Sequence, residues 1–163
     1  MRKRFIFLLV LIWIGIIYWL SNQAMQETTH QTYDVLIRLG LATKSELIQS
    51  TDPSIVLLKF IARKGAHLLL FTILGSLFTA AVFNKTKWRG LALILPSWLL
   101  ASVMGVADEV HQYFVPGRTM LVSDMLLDSV GAFLGVLLTW GLIALFFRPH
   151  KISSPTYSKS TRR

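Results

Sequence analysis

Residues 107–118 read ADEVHQYFVPGR, placing two acids, a histidine, an amide and an arginine directly after an apolar run. Glu109 and His111 are side chains that carry protons, and Arg118 offers a planar donor set suited to a phosphate or carboxylate. If helical spacing persists, Asp108 shares a face with His111 and Gln112. Upstream, Arg63 and Lys64 precede His67 by four and three positions, so both cations lie on the histidine's face of a helix. Downstream, Asp124 and Asp128 are one turn apart, and Gly131, Ala132 and Gly135 continue that face. The candidates for acid–base work are Glu109, His67, Asp108 and Asp124. Those for binding a polar or anionic ligand are Lys64, Arg118, Gln112, Asp128 and His111.

Other chemistries rank lower. His67, His111 and the acids are metal-ligand types, but no HExxH or comparable short spacing is present, so no metal is assigned. There is no GxSxG elbow, and Ser123 beside Asp124 reads as a helix-start residue rather than a nucleophile. The chain has no cysteine, which removes thiolate ligands, disulfides and cysteine nucleophiles, and no cofactor is assigned. The plain structural account also stands. Lys64–Asp124 or Arg118–Glu109 would then be interhelical ion pairs that fix packing, with His67 a satisfied bundle residue.

These residues belong to an apolar chain. Of 163 residues 53% are hydrophobic and 15% charged, with a mean hydropathy of +0.56, a composition that points to a membrane protein. Four segments, at about 5–23, 64–83, 90–108 and 124–147, are long and apolar enough to cross a bilayer. The expected fold is all-α: a polytopic membrane protein built as a four-helix transmembrane bundle. The first segment follows Met1–Arg4 but is read as a retained span, because Ser21–Ala24 is a poor cleavage site and the apolar run is long for a signal peptide.

Basic residues set the expected orientation. Arg2, Lys3 and Arg4, then Lys85, Lys87 and Arg89, then the five in the tail fall on one side with no acid. The other side holds Arg38, Lys44, Lys59, Arg63, Lys64 and Arg118 with all eight acids. Both termini are therefore expected in the cytoplasm, and the polar candidates at the outer face. This asymmetry accounts for the formal charge of +9 through orientation and contact with anionic membrane lipids, so nucleic acid is not an expected partner. A charge at mid-bilayer costs roughly 2.5–3.5 kcal/mol, less near the interface, so polar groups at span ends should face one another rather than lipid.

Residues 21–52 form the longest segment outside the spans, with a weakly amphipathic stretch at 32–41. Asp52-Pro53 is a helix start. A helix unbroken from there to Phe83 would be roughly 46 Å long, so its first turns protrude or it bends near Gly65. Pro96 falls inside the third span, where membrane helices tolerate a kink. Val115-Pro116-Gly117-Arg118 is a turn. Gly131 and Gly135 form a small-xxx-small pattern serving self-association or internal packing equally. Residues 148–163 read as a basic, disordered cytoplasmic tail.

Together these residues resemble the VanZ-like family of small bacterial membrane proteins. The pattern is a lysine and histidine at the start of the second span, here Lys64 and His67; D-E-x-x-Q, here Asp108, Glu109 and Gln112; and an arginine after a Pro-Gly turn, here Arg118. It closes with D-x-x-x-N-x-x-G-x-x-x-G, here Asp124, Asp128, Gly131 and Gly135. Ser21-Asn22-Gln23 is similar to the family's S-x-Q. Asp128 departs from the usual asparagine. The resemblance covers roughly residues 5–147 of a single membrane domain expected at 1–147 and implies a cell-envelope protein, the family's namesake being associated with low-level resistance to teicoplanin. It implies no enzymatic activity. The expected function is binding or modifying an anionic lipid-linked or cell-wall-related molecule, with Lys64 and Arg118 on the anion and Glu109 and His67 handling protons. A structural or partner-binding module, or a small transporter component, is the competing account, and the oligomeric state is open.

Because the chain lacks cysteine, a single cysteine introduced at position 44 or near a terminus reports topology directly. An impermeant thiol reagent should reach position 44 from outside and the termini only after membrane permeabilisation. The reverse pattern would overturn the assigned orientation.

Overall fold

The structure, a computed structural model, describes residues 2–146, and the expected basic tail at 148–163 lies outside them. Six helices follow in order: α1 Arg2–Ser21, α2 Met25–Arg38, α3 Lys44–Gln49, α4 Pro53–Lys85, α5 Leu91–Gln112 and α6 Val122–Phe146. α1, α4, α5 and α6 are long and apolar enough to cross a membrane. The fold is thus the all-helical, multi-pass bundle expected, with no strand among the described residues.

Local signals set the ends of α4. The Asp52 carboxylate accepts the Ser54 amide at 2.8 Å, and Pro53 occupies the first helical turn. The Ser54 hydroxyl and amide together hold the Asp52 carboxyl below its ordinary pKa. α4 then runs for 33 residues, about 50 Å at 1.5 Å per residue, well beyond a hydrocarbon core of about 30 Å. The helix is unbroken through Gly65, so its first turns extend past one core thickness. From Lys64 to Lys85 the same helix covers about 32 Å, close to one core thickness.

The connecting segment is more helical than the stretch at 32–41 indicated, since α2 begins at Met25. In its polar first half threonine hydroxyls are satisfied by bonding back one turn, Thr29 to the Met25 carbonyl at 2.7 Å and Thr32 to that of Thr28 at 2.9 Å. Leu36 and Leu47 are buried as α2 and α3 pack on the protruding part of α4. α5 likewise extends to Gln112, past the expected end near 108, because Asp108, Glu109 and Gln112 turn inward and are buried.

α4 and α6 share the most extensive interface. Hydrocarbon gives no hydrophobic drive for helices to associate, so close backbone approach must supply the attraction. Gly135 lies against the Thr72 carbonyl, Gly131 against that of Leu68, and Gly75 against that of Ala132. The small-xxx-small pattern is therefore used within the chain. Polar ties reinforce the packing: Ser76 Oγ donates to the Gly135 carbonyl at 3.1 Å, Trp98 Nε1 to the Ser129 carbonyl at 3.1 Å, and Trp13 Nε1 to the Leu70 carbonyl at 2.9 Å. Leu69, Val103, Leu126 and Val130 face outward, as a lipid-facing surface requires.

A methyl at Gly135 would overlap the Thr72 carbonyl, whereas one at Gly141 meets open space. Gly135→Ala is expected to lose about 1–3 kcal/mol through forced separation of α4 and α6. Gly141→Ala should stay within about 0.5 kcal/mol of the parent. Thermal unfolding in detergent micelles compares the two, and equal melting temperatures would contradict the packing described.

A buried polar site at one end of the bundle

The C-terminal ends of α1 and α5 and the first turns of α6 meet α4 about a third of the way along its length. Chain direction explains why residues so far apart in sequence share this level: α1 and α5 run toward it, while α4 and α6 run away. Eight of the nine sequence candidates come together here.

Lys64 of α4 donates to Asp124 Oδ1 of α6, as the sequence allowed, and Asp124 is only 1% exposed. One turn deeper, about 6 Å along the helix, Asp128 Oδ1 lies 3.3 Å from His67 Nδ1. Gly105 of α5 makes room for this aspartate, since a Cβ there would stand 3.0 Å from the Asp128 Cβ. Asp128 Oδ2 is buried and has no partner.

The other possible ion pair, Arg118–Glu109, does not form. Glu109 Oε2 instead accepts the Leu121 amide at 2.9 Å, fixing the turn that enters α6, while its Oε1 is buried without a partner. Arg118 follows Gly117, whose φ of +75° favours glycine, and reaches across the bundle end. Its Nη1 donates to Gln112 Oε1 at 2.8 Å, its Nε to the Gln23 carbonyl at 3.2 Å and its Nη2 to Thr28 Oγ1 at 2.6 Å. Burial, with Arg63 nearby, holds the guanidinium below the ordinary arginine pKa while Asp108 and Glu109 oppose that shift; it remains protonated. Gln112 passes the connection on, its Nε2 donating to Asp108 Oδ2 at 2.7 Å and to Ser21 Oγ at 3.4 Å. Arg118 thus ties α5 to both α1 and α2.

His111 is the exception. Its ring stacks on Tyr18 of α1 at 4.6 Å between centroids, away from the carboxylates, with Nε2 buried and unpartnered.

Beside the cluster, between α2 and α4, lies a cavity of about 460 Å³. Met25, Thr28 and Phe60 contribute to its sides, Lys59 and Arg63 add positive charge, and it reaches His67 and Asp108. Lys59, which the sequence marks only as one of the outer-side basic residues, has its ammonium 5.6 Å over the Tyr33 ring in the cavity wall. Sequence reasoning also passed over Tyr18 and Thr28, whose roles depend on partners some 90 positions away. The one available signal was the threonine-rich face of residues 28–32 immediately after the first span.

A nitrogen of His67 and oxygens of Asp108, Glu109 and Asp128 all lie within 4.8 Å of one another. The test for short ligand spacing is blind to such a set, because its members come from three helices.

The chain matches the model of the VanZ/LLP1 family over residues 5–147. It belongs to that family. No curated protein and no solved structure matches it. Within this VanZ/LLP1 chain, the residues that carried the resemblance occupy the same end of the bundle. Ser21 and Gln23 are in direct contact with Gln112 and Arg118, and Asp128 faces His67 from α6.

Arg118→Ala would leave the Gln112, Gln23 and Thr28 acceptors without their donor, a loss of about 1–3 kcal/mol. Hydrogen exchange should show α2 opening faster while the α4–α6 contact keeps its protection. Unchanged exchange across 25–38 would show that Arg118 does not hold α2 in place.

Proposed function

We propose that this VanZ/LLP1 protein binds an anionic, lipid-linked molecule of the cell envelope in the cavity between α2 and α4, on the side of the membrane opposite its termini. The observation that carries the reading is the cavity's composition. Apolar walls meet Lys59 and Arg63, and behind them stand His67 and Asp108. An amphiphile with a phosphate headgroup has that pairing of chemistry: chains for the apolar wall, negative charge for the two cations.

The division of roles differs from the first expectation. Lys64 and Arg118 already have partners within the bundle, so displacing them onto a ligand would leave buried groups unpaired. Of the three lysines and arginines lining the cavity, Arg118 is spent on Gln112, Gln23 and Thr28, whereas Lys59 and Arg63 have no carboxylate of the described residues within 4.0 Å. Lys64 and Arg118 therefore hold the helices around the cavity, and Lys59 and Arg63 meet the anion. Glu109 and His67 remain the groups able to move a proton there. A lipid-linked wall precursor is an anionic amphiphile of this kind, and a link to glycopeptide tolerance follows from that reading.

The competing account, in which the cluster only holds the helices, draws support from the closed Lys64–Asp124 and Arg118–Gln112 contacts. Native mass spectrometry of protein extracted with its surrounding lipids separates the two. The parent should retain an anionic lipid, and a Lys59→Ala/Arg63→Ala variant should lose it by at least tenfold in occupancy. Lys85→Ala/Lys87→Ala, at the opposite end, should keep it. Equal retention in all three would favour the structural account.

A further inference from the structure

We infer that His67, Asp108, Glu109 and Asp128 form a binding site for one divalent first-row transition-metal ion, Zn2+ or Mn2+. The inference does not rest on the lipid reading, since an ion here would be held entirely by side chains.

Three observations carry it. First, the four donors converge from α4, α5 and α6 with their ligand atoms no more than 4.8 Å apart. Ligands around an ion with bonds of about 2.1 Å stand about 3.4 Å apart in a tetrahedron and about 4.2 Å apart across an octahedron, so shifts of under about an ångström per ligand atom would close the set. Second, Glu109 and Asp128 are 1% and 0% exposed, yet Glu109 Oε1 and Asp128 Oδ2 have no hydrogen-bond partner. A buried carboxylate oxygen left bare is costly, and both belong to this donor set. Third, charge is unbalanced. Lys64 offsets Asp124, and Arg118 ends on Gln112 rather than on a carboxylate. Among the described residues Asp128 then has only His67 within 4.0 Å, and Asp108 and Glu109 have no lysine, arginine or histidine that close. A divalent cation would bring that group close to neutrality.

The surroundings fit the same assignment. Gln112 Nε2 holds Asp108 Oδ2 and the Leu121 amide holds Glu109 Oε2, so each acid has one oxygen fixed by a protein donor and the other left for an ion. Such outer contacts orient metal ligands. The cavity reaches His67 and Asp108, providing an entry path and a side from which water or an anionic ligand completes the coordination. The imidazole among three carboxylates favours a first-row transition ion over Mg2+.

The test uses the full chain purified without a polyhistidine tag, stripped by a chelator and checked for its fold by circular dichroism. Titration with Mn2+ or Zn2+ in excess Mg2+, read by elemental mass spectrometry after desalting, should give one ion per chain with release of protons. His67→Gln and Asp128→Asn should each weaken binding by at least about tenfold, while Glu46→Gln on α3 binds as the parent does. Should a variant fail to fold, Mn2+ electron paramagnetic resonance on the parent still decides the matter through the loss of the free-ion signal at one equivalent. A stripped, folded parent that takes up neither ion would overturn the inference, as would uptake indifferent to both variants. Lipid retention is measured without added metal, so that outcome would leave the lipid reading standing.

Discussion

An ionised group inside a bilayer has no water to turn to, and this single constraint shapes the polar end of the bundle. Asp108, Glu109, Asp124 and Asp128 are all buried, and each is tolerable only where a donor or a cation meets it: Lys64 and His67 of α4 for the two acids of α6, Gln112 for Asp108 and the Leu121 amide for Glu109. Lys64 and His67 are spaced to meet Asp124 and Asp128, which are themselves one turn apart. Two matched contacts at successive turns fix both the rotation and the axial register of α4 against α6. Rotating either helix by a third of a turn would expose charge to lipid.

Such contacts need the helices close together, and the glycines make that possible. Gly75, Gly131 and Gly135 let the backbones of α4 and α6 touch, and Gly105 leaves space for Asp128. Packing and polarity therefore depend on one another: without the small residues the charges would not reach, and without the charges the register would be loosely set. Arg118 extends the arrangement to α1 and α2, closing one wall of the cavity. What remains open within the carboxylate cluster is one oxygen each of Glu109 and Asp128, and along the cavity the two cations Lys59 and Arg63. An arrangement needed only to hold helices together would have no evident use for them.

Much of this was legible in the sequence, for identifiable reasons. Spans are announced by runs of apolar residues, and the convergence of Lys64, His67, Asp108, Glu109, Gln112, Arg118, Asp124 and Asp128 followed from counting crossings. Individual pairings were less accessible. Lys64–Asp124 was foreseen, but Arg118 bonded to an amide and two backbone carbonyls instead of Glu109, because carbonyls freed at helix ends carry no mark in the sequence. His111 went to Tyr18, since its offset from Asp108 around the helix was enough to aim it at another neighbour. α2 was underestimated because its first half is polar, and its helicity comes from backbone bonds and from packing on a stretch of α4 that extends past the apolar core. A donor set drawn from three helices has no local spacing to detect.

The central claim is that His67 and Asp128, 61 positions apart, face each other between α4 and α6. It is tested most directly by placing cysteines at both positions of this cysteine-free chain and treating intact membranes with a short bifunctional thiol reagent. The expected result is an intramolecular cross-link that survives dilution of the protein in the membrane and is absent from either single-cysteine chain. A folded, membrane-inserted double variant whose two thiols are each modified but never joined would contradict the account.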